Sequence, residues 1–419
     1  MEHVANLNYG QQLTASEKDL ILSTVFENRD TLAWSRAELG RTHLIQHTIE
    51  LTDGAQPIAK RPYRHSFAEQ EIERKLVKEL EQEGLITRYH GPWAAPSLLI
   101  KKKRLPGETE DSYRLVLDYR ALNKITKVDV TLPPNAEDVL QALGGTSKCW
   151  STLDCQSGYW QTPMSPRSIE KTAFCTRGAG NWAFLVMSQG LVNGPATWSR
   201  LMQIVLDGCQ SYCLHYFDDI VIMSPDVQTH ARHLASVFER LRQAGLKVNP
   251  KKCTFCSNHV TFLGHEITPE GILPLSTHLD RIQKLKAPTT LRGLRALLGL
   301  CGYYKKYVSH YSDLVRPLND LLKKNAPFTW GPDQQRSFEG LKERLCNPPI
   351  LAQPDPTKPY LLQVDASNYS VAAILSQRYG KEDRPISYHS RVLSPAERNY
   401  GITELELLGA IYGLKICAH

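Results

Sequence analysis

The sequence predicts an α+β protein of two or three domains. Short apolar runs rich in strand-forming residues recur along the chain, and several are joined by tight turns. Between them lie amphipathic segments that open on helix-capping patterns. The chain has 419 residues, of which 42% are hydrophobic, and this supplies enough apolar surface for more than one globular core.

The composition restricts the class of protein further. The chain carries 50 Lys and Arg against 43 Asp and Glu, a net charge of +7, which permits a polyanionic partner without requiring one. Ten cysteines occur without regular spacing, and only Cys253 and Cys256 form a C-x-x-C pair, so we expect reduced thiols rather than a zinc site. We find neither a signal peptide nor an apolar run of about 18 residues, so we expect no membrane segment and no secretion.

Two capping boxes predict helices in the N-terminal part of the chain. Residues 14–17 (Thr-Ala-Ser-Glu) and 66–69 (Ser-Phe-Ala-Glu) each place a hydroxyl three residues before a glutamate, ahead of apolar residues at helical spacing. Gly84 is expected to end the second helix. We treat residues 1–43 as an N-terminal helical extension and assign them no chemistry.

A strand–turn–strand pattern with a basic end follows. The strands are predicted over residues 97–104 and 113–120, around a Pro-Gly turn at 106–107. One interpretation is an edge strand whose lysines prevent pairing with another chain. The other is a basic flap that closes over a triphosphate, with Lys102 as a point charge and Arg114 as a fork-shaped phosphate ligand.

The sequence Tyr-Phe-Asp-Asp at residues 216–219 is the motif around which the rest is interpreted. Its flanks, residues 212–216 and 220–223, are short and apolar, and they predict a β-hairpin with the acids at its tip. Neighbouring carboxylates such as Asp218 and Asp219 repel each other unless a cation is bound. Mg²⁺ suits such a place because it takes one or two carboxylates together with substrate phosphates. A surface Asp-Asp turn is the alternative.

A third acid, Asp154, ends another short strand pattern over residues 149–154 and precedes a glycine-containing turn. Alone, this aspartate would be interpreted as a turn or helix-capping residue. Together with the two hairpin acids downstream, it is typical of sites where two metal ions hold the attacking and leaving oxygens of a phosphoryl transfer.

The C-terminal part contains further strand and helix patterns. Residues 260–267 predict a hairpin, and residues 276–324 predict helices, part of which are basic, as occurs along nucleic-acid backbones and on ordinary solvated surfaces. After a proline-rich linker, a strand ends at Asp365, and a helix predicted to begin near Ser394 carries Glu406. A strand-end acid facing a helix-borne glutamate can bind a metal ion, although two carboxylates are a weak signal.

Five motifs follow one another in a fixed order: Arg114 with residues 118–124, Asp154 with Gly158 and Tyr159, Gln189 and Gly190 with Pro195, residues 216–219, and residues 262–265. In this order they resemble the reverse transcriptases, and most of all the pol polyprotein of gypsy-type LTR retrotransposons. The similarity runs from about residue 44 to the end of the sequence.

The resemblance implies a right-hand fold followed by a connection and a partial ribonuclease H-like α/β domain. Fingers and palm would occupy residues 44–245, and a thumb would occupy 246–325. A connection or linker at 326–356 would lead to a truncated ribonuclease H-like domain at 357–419.

The resemblance also implies the roles of the site residues. Asp154, Asp218 and Asp219 would be the catalytic acids and would hold two Mg²⁺ ions, with Mn²⁺ as an alternative. Tyr159 would be a steric gate that excludes the ribose 2′-OH and so favours dNTPs. The nucleotide-binding residues would be Lys102, Arg114, Tyr159 and Gln189, and the primer grip would be Phe262, Leu263, Gly264 and His265.

Asp365 and Glu406 match the first two metal-binding carboxylates of ribonuclease H. Two further aspartates of that family would lie beyond residue 419. We therefore expect the ribonuclease H portion to be incomplete and inactive in this chain.

The implied function is RNA-directed DNA polymerisation, with an RNA template, a DNA primer or RNA–DNA hybrid, and dNTPs as partners. Other pol- or gag-derived segments are further candidate partners, and the implied location is the cytoplasm within virus-like particles, with the nucleus as an alternative. Two other interpretations stay open. An RNA-dependent RNA polymerase is disfavoured by Tyr159 and by the ribonuclease H remnant. A decayed or host-adopted copy would only bind nucleic acid or a partner protein.

Overall fold

The structure is a computed structural model that describes residues 2–102, 111–131, 135–143, 147–355 and 357–417. The predicted turn at 106–107 lies outside the described residues. The helices are α1 Glu2–Ala5, α2 Ala15–Glu27, α3 Phe67–Gln82, α4 Arg120–Lys124, α5 Ala136–Ala142, α6 Gly194–Val205, α7 Val227–Gln243, α8 Ser276–Gln283, α9 Leu291–Tyr303, α10 Tyr311–Leu314, α11 Arg316–Asp320, α12 Pro332–Cys346 and α13 Ile402–Cys417. The strands are β1 Asn8–Tyr9, β2 Ile86–Arg88, β3 Ala95–Lys101, β4 Tyr113–Leu117, β5 Cys149–Asp154, β6 Phe174–Cys175, β7 Asn181–Phe184, β8 Cys213–Tyr216, β9 Asp219–Ser224, β10 Thr254–Ser257, β11 Val260–Phe262, β12 His265–Thr268, β13 Gly271–Pro274, β14 Tyr360–Ala366, β15 Ser370–Tyr379 and β16 Glu382–Val392.

The chain forms two compact units. The first comprises Met1–Val139 with Cys149–Ser257, and the second comprises Leu140–Lys148 with Asn258–His419. The domain boundaries expected from the sequence stay predictions.

The first unit contains a five-stranded sheet in the order β1-β10-β5-β9-β8. Its strand β9, which lies between β5 and β8, is buried along three consecutive residues, Ile220, Val221 and Ile222, all of which are 0% exposed. A strand that is buried on both faces favours a continuous apolar run over an alternating one, which is what this segment has. The helix α7 packs against β9 and β5, and its buried side includes Leu234, Val237, Phe238 and Leu241, which recur at helical spacing.

The N-terminal extension is part of this unit. The strand β1 pairs in parallel with β10, and α2 packs against α7 with Ile21 and Val25 fully buried. The capping box predicted at Thr14 is present, since the Thr14 hydroxyl accepts from the Glu17 amide and the Glu17 carboxylate accepts from the Thr14 amide.

A second five-stranded sheet of the first unit has the order β2-β7-β6-β3-β4. The strands β3 and β4 form the predicted antiparallel pair, with Ile100 opposite Arg114. The helix α3 packs against β2 and β4, and its start at Ser66 has the predicted capping box. Gly84, at φ +64°, follows its end in the left-handed conformation that glycine favours.

The second unit begins with the sheet β11-β12-β13 and continues with helices α8 to α12 around one apolar core. The segment predicted as a connection or linker contains the 15-residue helix α12, whose Phe338, Leu341 and Leu345 are buried in that core. Pro332 lies at the first position of this helix, where its missing N–H costs nothing.

The last part of the second unit is the antiparallel sheet β14-β15-β16, against which α13 packs. The helix expected near Ser394 begins only at Ile402, so that prediction was wrong. Ser394 and Glu397 do form a reciprocal capping pair, but it closes a short 3-10 turn, Glu397–Asn399. Along the described parts of the chain, none of the helices combines the length and the apolar character needed to cross a membrane.

Candidate active site

The three predicted acids meet at one end of the β1-β10-β5-β9-β8 sheet. Asp154 is the last residue of β5 and pairs in register with Asp219, the first residue of β9. Asp218 occupies the two-residue turn between β8 and β9, where Tyr216 pairs with Asp219. The strand-end acid and the two hairpin acids are therefore neighbours, as the sequence layout predicted.

The electrostatics of these acids indicate a site for positive charge. Burial, together with the negative charges of Asp154 and Asp219, raises the pKa of Asp218 to about 6. The pKa of Asp219 is also raised, by desolvation and by the charge of Asp154. Moreover, Asp218 Oδ1 is buried and makes no hydrogen bond to any described part of the protein. A bound cation would satisfy that oxygen and relieve the repulsion.

Lys252 supplies a positive charge beside these acids. Its Nζ lies 3.2 Å from both carboxylate oxygens of Asp154. The ammonium group also lowers the pKa of Asp218 and Asp219, although less than burial and the neighbouring acids raise them. The lysine follows Pro250 in a 3-10 turn that leads into β10, the strand beside β5. Sequence reasoning did not assign it to the site.

The hairpin turn that carries Asp218 is held from two sides. Phe217 adopts a left-handed conformation at φ +50°, which is unfavourable for a bulky side chain. The indole Nε1 of Trp198 in α6 donates to the Phe217 carbonyl at 2.8 Å, and the amide of Cys155 donates to the Asp218 carbonyl at 3.1 Å. These bonds fix the orientation of the acids, because Trp198 is fully buried and has no space to move.

The backbone of Gly158 lies close to the carboxylate of Asp218 and to the indole of Trp198. A Cβ atom at this position would lie 2.8 Å from Asp218 Oδ1 and 2.8 Å from Trp198 Cζ2. Real Cβ atoms do not tolerate such distances, so only glycine fits here. The sequence marked Gly158 as part of a motif, but it gave no sign of this contact, which joins segments 60 residues apart.

The four predicted nucleotide-binding residues line one cleft of the first unit. This cleft has a volume of about 410 Å³, and its walls include Lys102, Arg114, Tyr159 and Gln189. Lys102 follows β3, Arg114 lies on β4, and both are exposed, as is Gln189. The cleft thus combines two cationic side chains with an aromatic wall. The roles of the four residues stay predictions.

Tyr159 lies between this cleft and the acids. Burial and the negative charge of Asp218 raise the pKa of its phenol to about 12, so the hydroxyl stays protonated. Its ring is 6.2 Å from that of Trp198, and a Cβ at Gly194 would meet it at 3.4 Å. These contacts restrict the movement of the ring.

The donor set fits a hard divalent cation, because the acids supply only carboxylate oxygens and one of these is buried without a partner. In the described ranges, however, no three His, Cys, Asp or Glu side chains converge closely enough to hold a metal ion. The ammonium group of Lys252 lies beside the carboxylate of Asp154 in this arrangement.

The residues predicted as a primer grip form the β11–β12 hairpin of the second unit. Phe262 pairs with His265, and both are buried, while Leu263 and Gly264 form the turn at φ +46° and +68°. Burial and the nearby charge of Lys306 lower the pKa of His265 to about 3, so its ring is neutral.

The two predicted ribonuclease H carboxylates lie on adjoining elements of the second unit. Asp365 is exposed on β14, with Oδ2 3.8 Å from His310 Nδ1, and Glu406 is exposed on α13, which packs against β14. Glu404, the alternative to Glu406, accepts from the Gly401 amide at 2.7 Å and so caps the helix. Whether Asp365 and Glu406 bind a metal ion stays a prediction.

Comparison with known families supports the predicted class. Residues 100–267 match the family of reverse transcriptases (RNA-dependent DNA polymerases). Residues 330–419 match the RNase H-like domain found in reverse transcriptases. The first match contains all three acids and the four cleft residues.

Relatives of known type agree with this assignment. The Pol polyprotein of transposon 297 from Drosophila melanogaster is 36% identical over 382 residues, which cover 90% of this chain and 35% of the relative. The Tf2-3 transposon polyprotein of Schizosaccharomyces pombe is 31% identical over 378 residues, 90% of this chain and 28% of the relative. The chain thus spans about a third of the length of the curated relatives that it matches.

Solved structures confirm the fold class. A foamy viral protease-reverse transcriptase in complex with double-stranded DNA aligns with a TM-score of 0.87 and 24% identity, covering 100% of this chain and 71% of that one. The same kind of protein in complex with an RNA/DNA hybrid aligns with a TM-score of 0.82 and 24% identity, covering 100% of this chain and 55% of that one. The chain therefore belongs to the reverse transcriptases and corresponds to the reverse transcriptase–RNase H region of LTR-retrotransposon Pol polyproteins.

Proposed function

We propose that this chain is an RNA-directed DNA polymerase that adds dNTPs to a primer 3′-OH. The observation that carries the proposal is that Asp154, Asp218 and Asp219 lie next to one another at one end of the β1-β10-β5-β9-β8 sheet. There the pKa of Asp218 is raised to about 6, and its Oδ1 lacks a hydrogen-bond partner among the described residues. A buried cluster of negative charge is costly unless cations bind to it.

The three acids would hold two Mg²⁺ ions, or Mn²⁺ in their place. When bound, such ions neutralise phosphate charge and position the attacking and leaving oxygens. For the ions to bind, the ammonium group of Lys252, whose Nζ lies 3.2 Å from Asp154 Oδ1, has to move away from that carboxylate. Trp198 keeps the hairpin turn in place meanwhile, since its bond is to the backbone of Phe217 and does not involve a carboxylate.

The cleft would bind the incoming nucleotide. Lys102 and Arg114 would contact the triphosphate, because both are exposed cations on one wall. Tyr159 would place its restricted ring where a ribose 2′-OH would otherwise lie, and Gln189 would support the nucleotide and template. This arrangement favours dNTPs over ribonucleotides.

RNA template, DNA primer and their hybrid are the proposed macromolecular partners. The net charge of +7 suits a polyanion, and the similar foamy viral enzymes were solved with double-stranded DNA and with an RNA/DNA hybrid. We also propose other segments of the polyprotein as partners, and the cytoplasm as the location of the protein.

Primer extension on poly(rA)/oligo(dT) tests the proposal. Asp218→Asn should abolish extension and leave hybrid binding nearly unchanged, because it removes one charge at the reacting centre. Asp207→Asn, at an exposed aspartate of the same unit, is the matched control and should extend normally. Near-full extension by Asp218→Asn would disprove the assignment of the site.

Tyr159→Ala tests the selection of nucleotides. The variant should incorporate ribonucleotides that the wild-type chain rejects, since the ring no longer fills the space of the 2′-OH. A wild-type chain that binds hybrid tightly and extends nothing would instead favour the alternative of a decayed or host-adopted copy.

A further inference from the structure

The turn Leu263–Gly264 adopts a conformation that its sequence does not favour. Both residues have positive φ angles, +46° and +68°, as a two-residue hairpin of type I′ requires. Gly264 adopts this conformation freely, whereas Leu263 is a branched residue in a region that side chains other than Asn and Asp rarely occupy. Such a residue persists only where its surroundings fix it.

Both carbonyls of the turn are bound by side chains of the second unit. Tyr303 Oη donates to the Leu263 carbonyl at 2.6 Å, and Tyr304 Oη donates to the Gly264 carbonyl at 2.8 Å. The amide of Leu275 also donates to the Gly264 carbonyl, at 3.0 Å. Two adjacent tyrosines therefore hold two adjacent peptide groups.

The two histidines of this region complete the network. His265 Nδ1 lies 2.7 Å from the Leu263 carbonyl and donates to it, which fixes the tautomer of its buried ring. His278 Nδ1 lies 2.6 Å from Tyr304 Oη and can donate to it while that hydroxyl donates to Gly264. The Leu263 carbonyl therefore accepts hydrogen bonds from Tyr303 and His265, and the Gly264 carbonyl accepts them from Tyr304 and the Leu275 amide.

The Leu263 carbonyl belongs to the central peptide of the turn. A two-residue hairpin relaxes most easily by rotating this peptide, which would turn the carbonyl away and change which backbone groups the turn presents. Tyr303 opposes that rotation because its hydroxyl binds the oxygen that would move. Tyr303 lies at the end of α9 and Tyr304 follows it, so the helix sets the conformation of the hairpin.

We propose that Tyr303 and Tyr304 are positioning residues that lock the Leu263–Gly264 turn in the conformation that holds the primer strand. This inference rests on the proposed polymerase function and on the role of the turn as a primer grip. The two hydroxyls fix the backbone of the turn by hydrogen bonds, and the turn contacts the primer strand.

Tyr303→Phe and Tyr304→Phe test the inference, because each removes one hydroxyl and keeps the ring. We expect the KM for primer–template to rise about fivefold in each variant, as the loss of one hydrogen bond predicts, with the KM for dNTP unchanged. Amide hydrogen exchange in the turn should accelerate by a similar factor. Tyr307→Phe is the matched control, since the buried Tyr307 hydroxyl has no hydrogen-bond partner in the described ranges.

The outcomes separate this inference from the proposed function. A wild-type chain that fails to extend primers would refute the proposed function, and hydrogen exchange would still show whether the hydroxyls lock the turn. A wild-type chain that extends primers, with Tyr303→Phe and Tyr304→Phe matching Tyr307→Phe in primer KM and in hydrogen exchange, would overturn the inference. Lower thermal stability with unchanged primer KM would also overturn it, because the tyrosines would then be structural only.

Discussion

Gly158→Ala tests whether the acids depend on the close packing around Asp218. The added Cβ would lie 2.8 Å from Asp218 Oδ1 and 2.8 Å from Trp198 Cζ2. Carbon atoms in contact are rarely closer than about 3.5 Å, so the neighbours would have to move apart by about 0.7 Å. Trp198 is 0% exposed and cannot retreat, so the carboxylate of Asp218 and the turn that carries it must move.

The expected effect is large on catalysis and moderate on stability. A misplacement of about 1 Å in a reacting group can cost about 100-fold in rate, and we expect kcat for primer extension to fall by about that factor. Overpacking of this size costs about 1–3 kcal/mol of unfolding free energy, measurable by urea denaturation. The KM for dNTP should change little, because Gly158 faces an acid and does not line the cleft proposed to bind the nucleotide.

Gly409→Ala is the control for this substitution. Gly409 lies in α13, where a Cβ would meet its neighbours at 3.8 Å or more, an ordinary contact distance. The variant should extend primers normally and gain about 0.5–1 kcal/mol of stability, as alanine does in a helix. If Gly158→Ala retained kcat within about threefold of wild type, or lost activity only in proportion to its unfolded fraction, close packing at Asp218 would not matter for the chemistry.

Two further predictions concern charge. Lys252→Met removes a cation that lowers the pKa of Asp218 and Asp219, so these pKa values should rise and the acid limb of the primer-extension pH profile should move to higher pH, while Lys251→Met should leave it in place. His230 is buried between two serine hydroxyls at 2.6 and 2.9 Å, and burial lowers its pKa to about 3. Its contribution to stability is therefore full above about pH 6.5 and is lost as the pH falls toward the folded pKa, by up to about 1.4 kcal/mol per pH unit. In urea denaturation, the free energy of unfolding of His230→Gln should fall less steeply on acidification than that of the wild-type chain. An unchanged dependence on pH would contradict the lowered pKa of His230.

Features that depend on a few adjacent residues were predictable from the sequence. The capping boxes at Thr14 and Ser66 need only a hydroxyl and a glutamate three residues apart, and both formed. The hairpin with Asp218 at its turn followed from two apolar runs around two acids. The placement of Asp154 beside it was predicted from the order of a strand-end acid, a glycine-containing turn and the two hairpin acids, although no local pattern gives the register of β5 on β9.

Features that depend on contacts between distant segments could not be predicted in this way. Lys252 reaches Asp154 across 98 positions of sequence, and it was visible only as one of several lysines in a basic stretch. The start of α13 was misplaced because the capping pair at Ser394 is a valid local signal that closes a single turn. Gly401, which precedes the true start, then supplies the amide that Glu404 caps.

The two hairpin turns that matter most for the proposed function share one construction. Phe217 and Leu263 each occupy the first position of a two-residue turn in a left-handed conformation, at φ +50° and +46°. The carbonyl of each accepts a hydrogen bond from an aromatic side chain, Trp198 Nε1 in the first unit and Tyr303 Oη in the second. Glycine or asparagine would satisfy both turns at lower strain, which is of order 1–3 kcal/mol at each.

A bulky residue in such a position is informative because local preference has been overridden there. The strain is offset only while the aromatic donor stays in place, since one hydrogen bond contributes about 1 kcal/mol and the surrounding packing supplies the rest. Each turn is therefore coupled to a helix, α6 for the acids and α9 for the predicted primer grip. A movement of either helix would be transmitted to the backbone of the turn that it holds, so each helix also sets the geometry of the groups that its own turn presents.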